Sequence, residues 1–169
     1  RDLSTSRPVR ALHVFLGDYI DRGPCSRERI DLLIDGARRF ECIFLKGNHE
    51  LMLFEALGNP RLVDDWRQYG GLQPLASYGL QPALKPDTAE QDELMRELRR
   101  RIPDMHRRFL QSLRTSFTCG DFFFVHAGVR PGVPLEAQQE QDLCWIREEF
   151  LQSDANFGKY VVHGHSPVV

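Results

Sequence analysis

The sequence predicts an α/β fold, on three observations. Four short apolar runs, each closed by a polar or glycine turn, read as buried strands: "ALHVFL" (11–16), "ECIFL" (41–45), "FFFV" (122–125) and "YVV" (160–162). Apolar residues between the first two runs recur at helical spacing. Polar side chains with chemistry to offer follow every run. Near-continuous apolar runs of this length suit strands covered on both faces.

The first run leads into "FLGDYIDRGP" (15–24), a turn punctuated by Gly17, Gly23 and Pro24. In "SRERIDLLIDGARR" (26–39), Ile30, Leu33, Ile34 and Ala37 fall on one helical face. Ser26 suits an N-cap there, and Arg38 and Arg39 suit the C-terminal turn. This strand–helix–strand order predicts that the first two strands are parallel and joined by a right-handed crossover. "HELMLFEAL" (49–57) predicts a second helix, stopped by "GNP". In residues 58–86, Gly, Pro and aromatic residues alternate without period, which predicts an ordered loop or lid. Trp66 and Tyr69 there either floor a peptide or nucleotide groove or pack the segment onto the body. Residues 87–102 read as a charged, mostly solvated helix, and Pro103 breaks it. A further helix follows, with Met105, Phe109, Leu110 and Leu113 on one face. All 169 residues are expected to form one catalytic domain, with 58–114 as its loop and helical insert.

Composition narrows the function. Hydrophobic residues make up 41% and charged residues 27%, the globular range. The 22 Lys+Arg nearly balance the 24 Asp+Glu, so no basic excess points to nucleic acid. No apolar run approaches the ~18 residues of a membrane span. Cys25, Cys42, Cys119 and Cys144 never form a close pair, which argues for reduced thiols and a cytoplasmic setting.

The strand ends carry the chemistry. After the four runs come Gly17-Asp18, then Gly47-Asn48-His49-Glu50, then His126-Ala127-Gly128, then His163-Gly164-His165. In open α/β sheets, ligands bind outside the carboxyl ends of the strands. Asp, Asn and His donors suit Mn, Fe or Zn, and an aspartate can bridge two ions. Paired metals are a common device for phosphoester hydrolysis.

"GDYIDRG", "GNHE" about two dozen residues later, "HAG" and a final "GH" resemble the calcineurin-like metallophosphoesterases, in particular the phosphoprotein-phosphatase branch. The resemblance spans residues 11–167. It implies an α/β/β/α sandwich of two mixed sheets flanked by helices. It also implies a serine/threonine protein phosphatase with two divalent ions, Mn first, with Fe, Zn or Co compatible. The same resemblance makes Asp18 the bridging carboxylate, and Asn48, His126 and His165 ligands of the second ion. His49 matches the proton donor and Asp21 its orienting partner. Arg22, Arg147 in "WIREEF" and Lys46 match phosphate-binding positions; Lys46 keeps the charge of an arginine but loses its fork. Glu50 is expected to support the helix after the loop, while His13, His106 and His163 take structural or solvated places. The substrate is then a phosphoprotein or small phosphoester, with neither nucleic acid nor membrane as partner. Two alternatives stand beside this reading: a symmetrical dinucleoside tetraphosphate hydrolase, a branch that more often carries Asp after its Asn-His, and a non-catalytic scaffold that binds through the metal edge.

One motif of the family is missing. Its Gly-Asp-x-His-Gly loop, which supplies the first ion, does not occur in residues 1–17, and Asp2 and His13 do not replace it. The expectation is a chain truncated at both ends that keeps only Asp18 for the first ion.

Overall fold

The computed structural model describes residues 10–166, so Asp2 lies outside the described residues. Strand β1 (Leu12–Phe15) pairs in parallel with β2 (Glu41–Phe44), with Leu12 opposite Glu41 and Phe15 opposite Phe44. Helix α1 (Ser26–Ala37) makes the expected crossover between them. It starts one residue earlier than predicted: Cys25 holds the cap position, and the Ser26 hydroxyl is buried inside the first turn without a partner among the described residues. Helix α2 (Asn48–Gly58) starts directly after β2.

The segment from 58 onward is more helical than its composition suggests. Pro60–Leu62 form a 3₁₀ turn, α3 (Val63–Trp66) runs through a π-type turn at Arg67–Gly71 into α4 (Leu72–Ser77), and only 80–87 are irregular. Helix α5 (Thr88–Arg101) begins at a reciprocal cap: Asp87 accepts from the Glu90 N–H, and Glu90 accepts from the Asp87 N–H. It is not mostly solvated, because Gln91, Leu94, Met95 and Leu98 face inward. Helix α6 (Asp104–Gln111) buries Phe109 and Leu110 but leaves Met105 exposed.

Residues 58–114 supply much of the larger core. Val63, Trp66, Leu75, Met95 and Leu98 pack with Ile30 of α1 and Leu53 of α2. Each fully buried aliphatic chain there is worth roughly 1.5–3 kcal/mol. His106 is likewise buried, between the Tyr78 hydroxyl at 2.9 Å and Asp31 at 2.7 Å, and has a structural place.

Arg114 bridges in parallel to Leu45 at the end of β2, and the chain then enters the second sheet. Strands β3 (Ser116–Cys119) and β4 (Phe122–Val125) form a hairpin over the two-residue turn Gly120-Asp121. Gly120 has φ 55°, as such tight hairpins require. Strand β5 (Tyr160–Val162) adds in parallel to β4. This second sheet is mixed, whereas β1–β2 is parallel throughout its described residues. Helices α7 (Glu140–Trp145) and α8 (Glu148–Leu151) cover it through Leu143, Ile146 and Phe150, which pack on Phe123, Val125 and Ala127. Two small sheets flanked by helices are thus the architecture that the resemblance implies. The strands are less covered than their apolar runs suggest: β1 and β2 are half-buried. No helix among the described residues is long and apolar enough to cross a membrane.

Candidate metal and phosphate site

Parallel pairing of β1 with β2, and of β4 with β5, sends all four carboxyl ends the same way within each sheet. The loops after them meet. The Gly164 N–H donates to the His126 carbonyl at 2.8 Å, and Leu45 N–H to the Phe15 carbonyl at 2.9 Å, so each pair stays in register into its loops.

Those loops are tightly constrained. Asp18, Asp21, Arg22 and His165 all adopt left-handed backbone, with φ of 61°, 68°, 55° and 61°. Such residues cost on the order of 1–3 kcal/mol each and persist where the surroundings hold them. Glu50 does much of the holding. Fully buried, it accepts N–H groups from Asp18 (2.9 Å) and Gly47 (2.9 Å) on Oε2, and from Tyr19 (2.7 Å) and Ile20 (3.2 Å) on Oε1. The "GD" loop and the "GN" loop are thereby tied together through one carboxylate. Burial, with the nearby Asp18 charge, pushes the Glu50 carboxyl up to about 7. Glycine is required where the loops touch: a Cβ on Gly17 would stand 2.6 Å from the Gly47 nitrogen, and one on Gly47 2.6 Å from the Asp18 nitrogen.

Asp18, Asn48, His126 and His165 converge. Ligand atoms of Asp18, His126 and His165 lie within 4.8 Å of one another. His126 Nε2 is 3.0 Å from Asn48 Oδ1, 3.1 Å from His165 Nδ1 and 3.4 Å from Asp18 Oδ1; His165 Nδ1 is 2.9 Å from Asn48 Oδ1. The tautomer of His126 is set on its other side, where Nδ1–H donates to the Leu16 carbonyl at 2.5 Å. Its Nε2 is then a bare lone pair facing two oxygen acceptors. Burial lowers the His126 pKa, against the pull of Asp18. His165 is pushed down to about 4 by burial and by the neighbouring His126 and Arg147. Two neutral imidazoles, an amide oxygen and a carboxylate crowding their lone pairs together is a donor set that a divalent cation satisfies.

Beside this cluster, His49 Nδ1 lies 2.7 Å from Asp21 Oδ2, both groups buried. Burial opposes charge on His49, but the Asp21 hydrogen bond and the Asp18 charge outweigh it and raise its pKa. A pocket opens over these groups, lined by Asp18, Arg22, Asn48, His49, Tyr69, Trp145, Arg147 and His165. Arg22 and Arg147 are exposed, and neither guanidinium has a partner among the described residues. Arg147 stands just before α8 and not on a helix.

Lys46 is not brought here. Its ammonium pairs with Glu140 at 2.6 Å, over the Phe54 ring, so the phosphate role expected for it is not met by its placement. His13 sits in β1 against Phe40, and His163 packs edge-on against Phe150 at 5.0 Å; neither joins the cluster. The aromatic residues of 58–86 divide. Tyr69 reaches the pocket, with its ring against Trp145 at 5.8 Å. Trp66 is buried and donates its indole N–H to Asp21. No sequence signal links Trp66 to Asp21, 45 residues away. Trp145 was legible only as the neighbour of Arg147.

The calcineurin-like phosphoesterase family model matches residues 4–169. The chain belongs to that family. It is a metallophosphoesterase, a hydrolase that cleaves phosphoesters with the help of bound metal, and the Asp18–His126–His165 cluster is a possible ligand group for it.

Proposed function

We propose that this chain removes phosphate from phosphoserine and phosphothreonine in proteins, through a dinuclear metal centre. One observation carries the reading: two guanidiniums without partners among the described residues, Arg22 and Arg147, share a pocket with the His49–Asp21 pair and the metal-ligand cluster. A site of this kind is suited to a dianionic phosphoryl group attached to a poor leaving group.

Asp18, Asn48, His126 and His165 would hold one ion. Asp18 is about a third exposed (34%) and can offer its carboxylate to a second ion as well. The nitrogen and oxygen donors suit Mn, with Fe, Zn or Co compatible. The metal, when bound, supplies hydroxide near neutral pH and stabilises charge on the phosphoryl oxygens. Arg22 and Arg147 grip those oxygens, as forked guanidiniums do well. Asp21 accepts a hydrogen bond from His49 Nδ1–H and stabilises the imidazolium, which leaves Nε2–H to deliver its proton to the departing alkoxide. Glu50 stands where the resemblance puts Asp more often in the dinucleotide-hydrolase branch, which supports the protein-phosphatase side; its carboxylate collects four N–H groups across the two loops. A balanced charge of −2 fits a phosphoprotein or small phosphoester substrate over nucleic acid or membrane, and four free cysteines fit a cytoplasmic protein.

The test is a Mn-supplemented assay with p-nitrophenyl phosphate, a phosphothreonine peptide and diadenosine tetraphosphate. The expected result is hydrolysis of the first two, lost on the peptide in His49→Asn. Faster cleavage of the tetraphosphate would move the chain to the dinucleotide-hydrolase branch. No cleavage of any of the three would favour a binding scaffold.

A further inference from the structure

Trp66 is almost completely enclosed, with 1% of its surface exposed. Its indole nitrogen lies 2.9 Å from Asp21 Oδ2 and 3.2 Å from Asp21 Oδ1. Oδ2 is the same oxygen that His49 Nδ1 reaches at 2.7 Å. The Asp21 side chain is fully buried, and its donors among the described residues are these two rings. An indole N–H can only donate, so it is matched to a carboxylate acceptor.

The geometry around Trp66 is built to keep it there. The π-type turn after α3 presses onto the Asp21–Arg22 corner: a Cβ on Gly70, φ 113°, would stand 2.9 Å from the Arg22 nitrogen. A Cβ on Gly71 would stand 2.6 Å from the Trp66 ring. Two glycines therefore let this turn close on the ring from one side and on the left-handed Asp21–Arg22 backbone from the other. With a single donor, the Asp21 carboxylate could turn about its Cβ–Cγ bond; a second donor on a packed, immobile ring removes that freedom.

We infer that Trp66 is a positioning residue for proton transfer, holding Asp21 Oδ2 on His49 Nδ1 and thereby fixing where His49 Nε2 points. The inference rests on the proposal that His49 is the proton donor. A tryptophan that merely packs would, when altered, lower stability and depress turnover of every substrate alike. A positioning tryptophan affects kcat more than KM, and more for leaving groups that need a proton.

Trp66→Phe keeps an aromatic ring in the site and removes the donor. On a phosphoserine peptide its kcat should fall about 10- to 100-fold, the range set by a hydrogen bond to a charged group, with KM little changed. On p-nitrophenyl phosphate, whose leaving group hardly needs protonation, the loss should be markedly smaller. In an Asp21→Asn background the same substitution should add less than about two-fold, since coupled sites are not additive. A second measurement needs no change at Trp66: in ¹⁵N-labelled protein, its indole N–H proton resonance should move upfield in Asp21→Asn. Equal losses on the two substrates, additive losses with Asp21→Asn, or an indole resonance indifferent to Asp21→Asn would each overturn the inference. His49→Asn separates the two levels. If it shows the leaving-group effect and Trp66→Phe does not, Trp66 alone loses its role; if His49→Asn shows none, the proton-donor reading falls first.

Discussion

Glu50→Gln is the most informative single change outside the chemistry itself. Each Glu50 oxygen accepts two backbone N–H groups, from Asp18 and Gly47 on one side and from Tyr19 and Ile20 on the other. Glutamine keeps one oxygen, so two N–H donors come to face an NH₂ group. Two bonds to a charged acceptor, at ~1.5–3 kcal/mol each, are lost. An opposing term exists, because the native protein keeps this group fully buried, and burial pushes its pKa up to about 7. Removing the charge relieves that penalty and offsets about half of the loss, leaving a net cost of ~1.5–3 kcal/mol. For a chain of 169 residues this corresponds to a fall in Tm of about 3–12 °C. Thermal unfolding followed by circular dichroism measures it. Turnover should fall as well, because the Asp18–Ile20 backbone, left-handed at Asp18, loses its clamp to Gly47. A Tm within about one degree of wild type, together with unchanged turnover, would refute the idea that one carboxylate ties the two loops together.

Other perturbations test neighbouring parts of the site. Gly47→Ala would place its Cβ 2.6 Å from the Asp18 nitrogen and should abolish metal-dependent activity while α2 persists by circular dichroism. A chelator should lower the Tm of metal-loaded protein, since an ion held at 100 times its Kd stabilises by ~2.7 kcal/mol, and His126→Ala should erase that difference. Inhibition by inorganic phosphate should weaken in Arg147→Ala but not in Lys46→Ala, because only the arginine lines the pocket.

Much of the site was legible in the sequence because its parts are local. "GDYIDRG" and "GNHE" are contiguous, and each follows a strand, so residue type and spacing alone placed Asp18, Asp21, Arg22, Asn48 and His49 just beyond strand ends, the last two in the first turn of α2. Helical periodicity located α1, α2 and α6, since an amphipathic face is written every three to four residues. Strand β3 has no continuous apolar run to mark it, although Cys119-Gly120-Asp121-Phe122 has the form of a two-residue hairpin turn. Other features depend on which distant segments meet, and no local pattern encodes that. Residues 58–86 lack periodicity because short helical turns bury isolated side chains and not a stripe, and only their packing showed that Val63, Trp66, Leu75, Tyr78 and Leu80 belong to the larger core. Lys46 stands in the motif's register, yet Glu140, 94 residues later, draws its ammonium away from the pocket. Trp66 and Asp21 are joined by a hydrogen bond between segments 45 residues apart. The sequence by itself determined which groups could bind a metal, move a proton and hold a phosphate, because those capacities belong to residue types. The tertiary structure decided which of them meet, because a hydrogen bond or an ion pair forms only between atoms that the folded chain brings within about 3 Å.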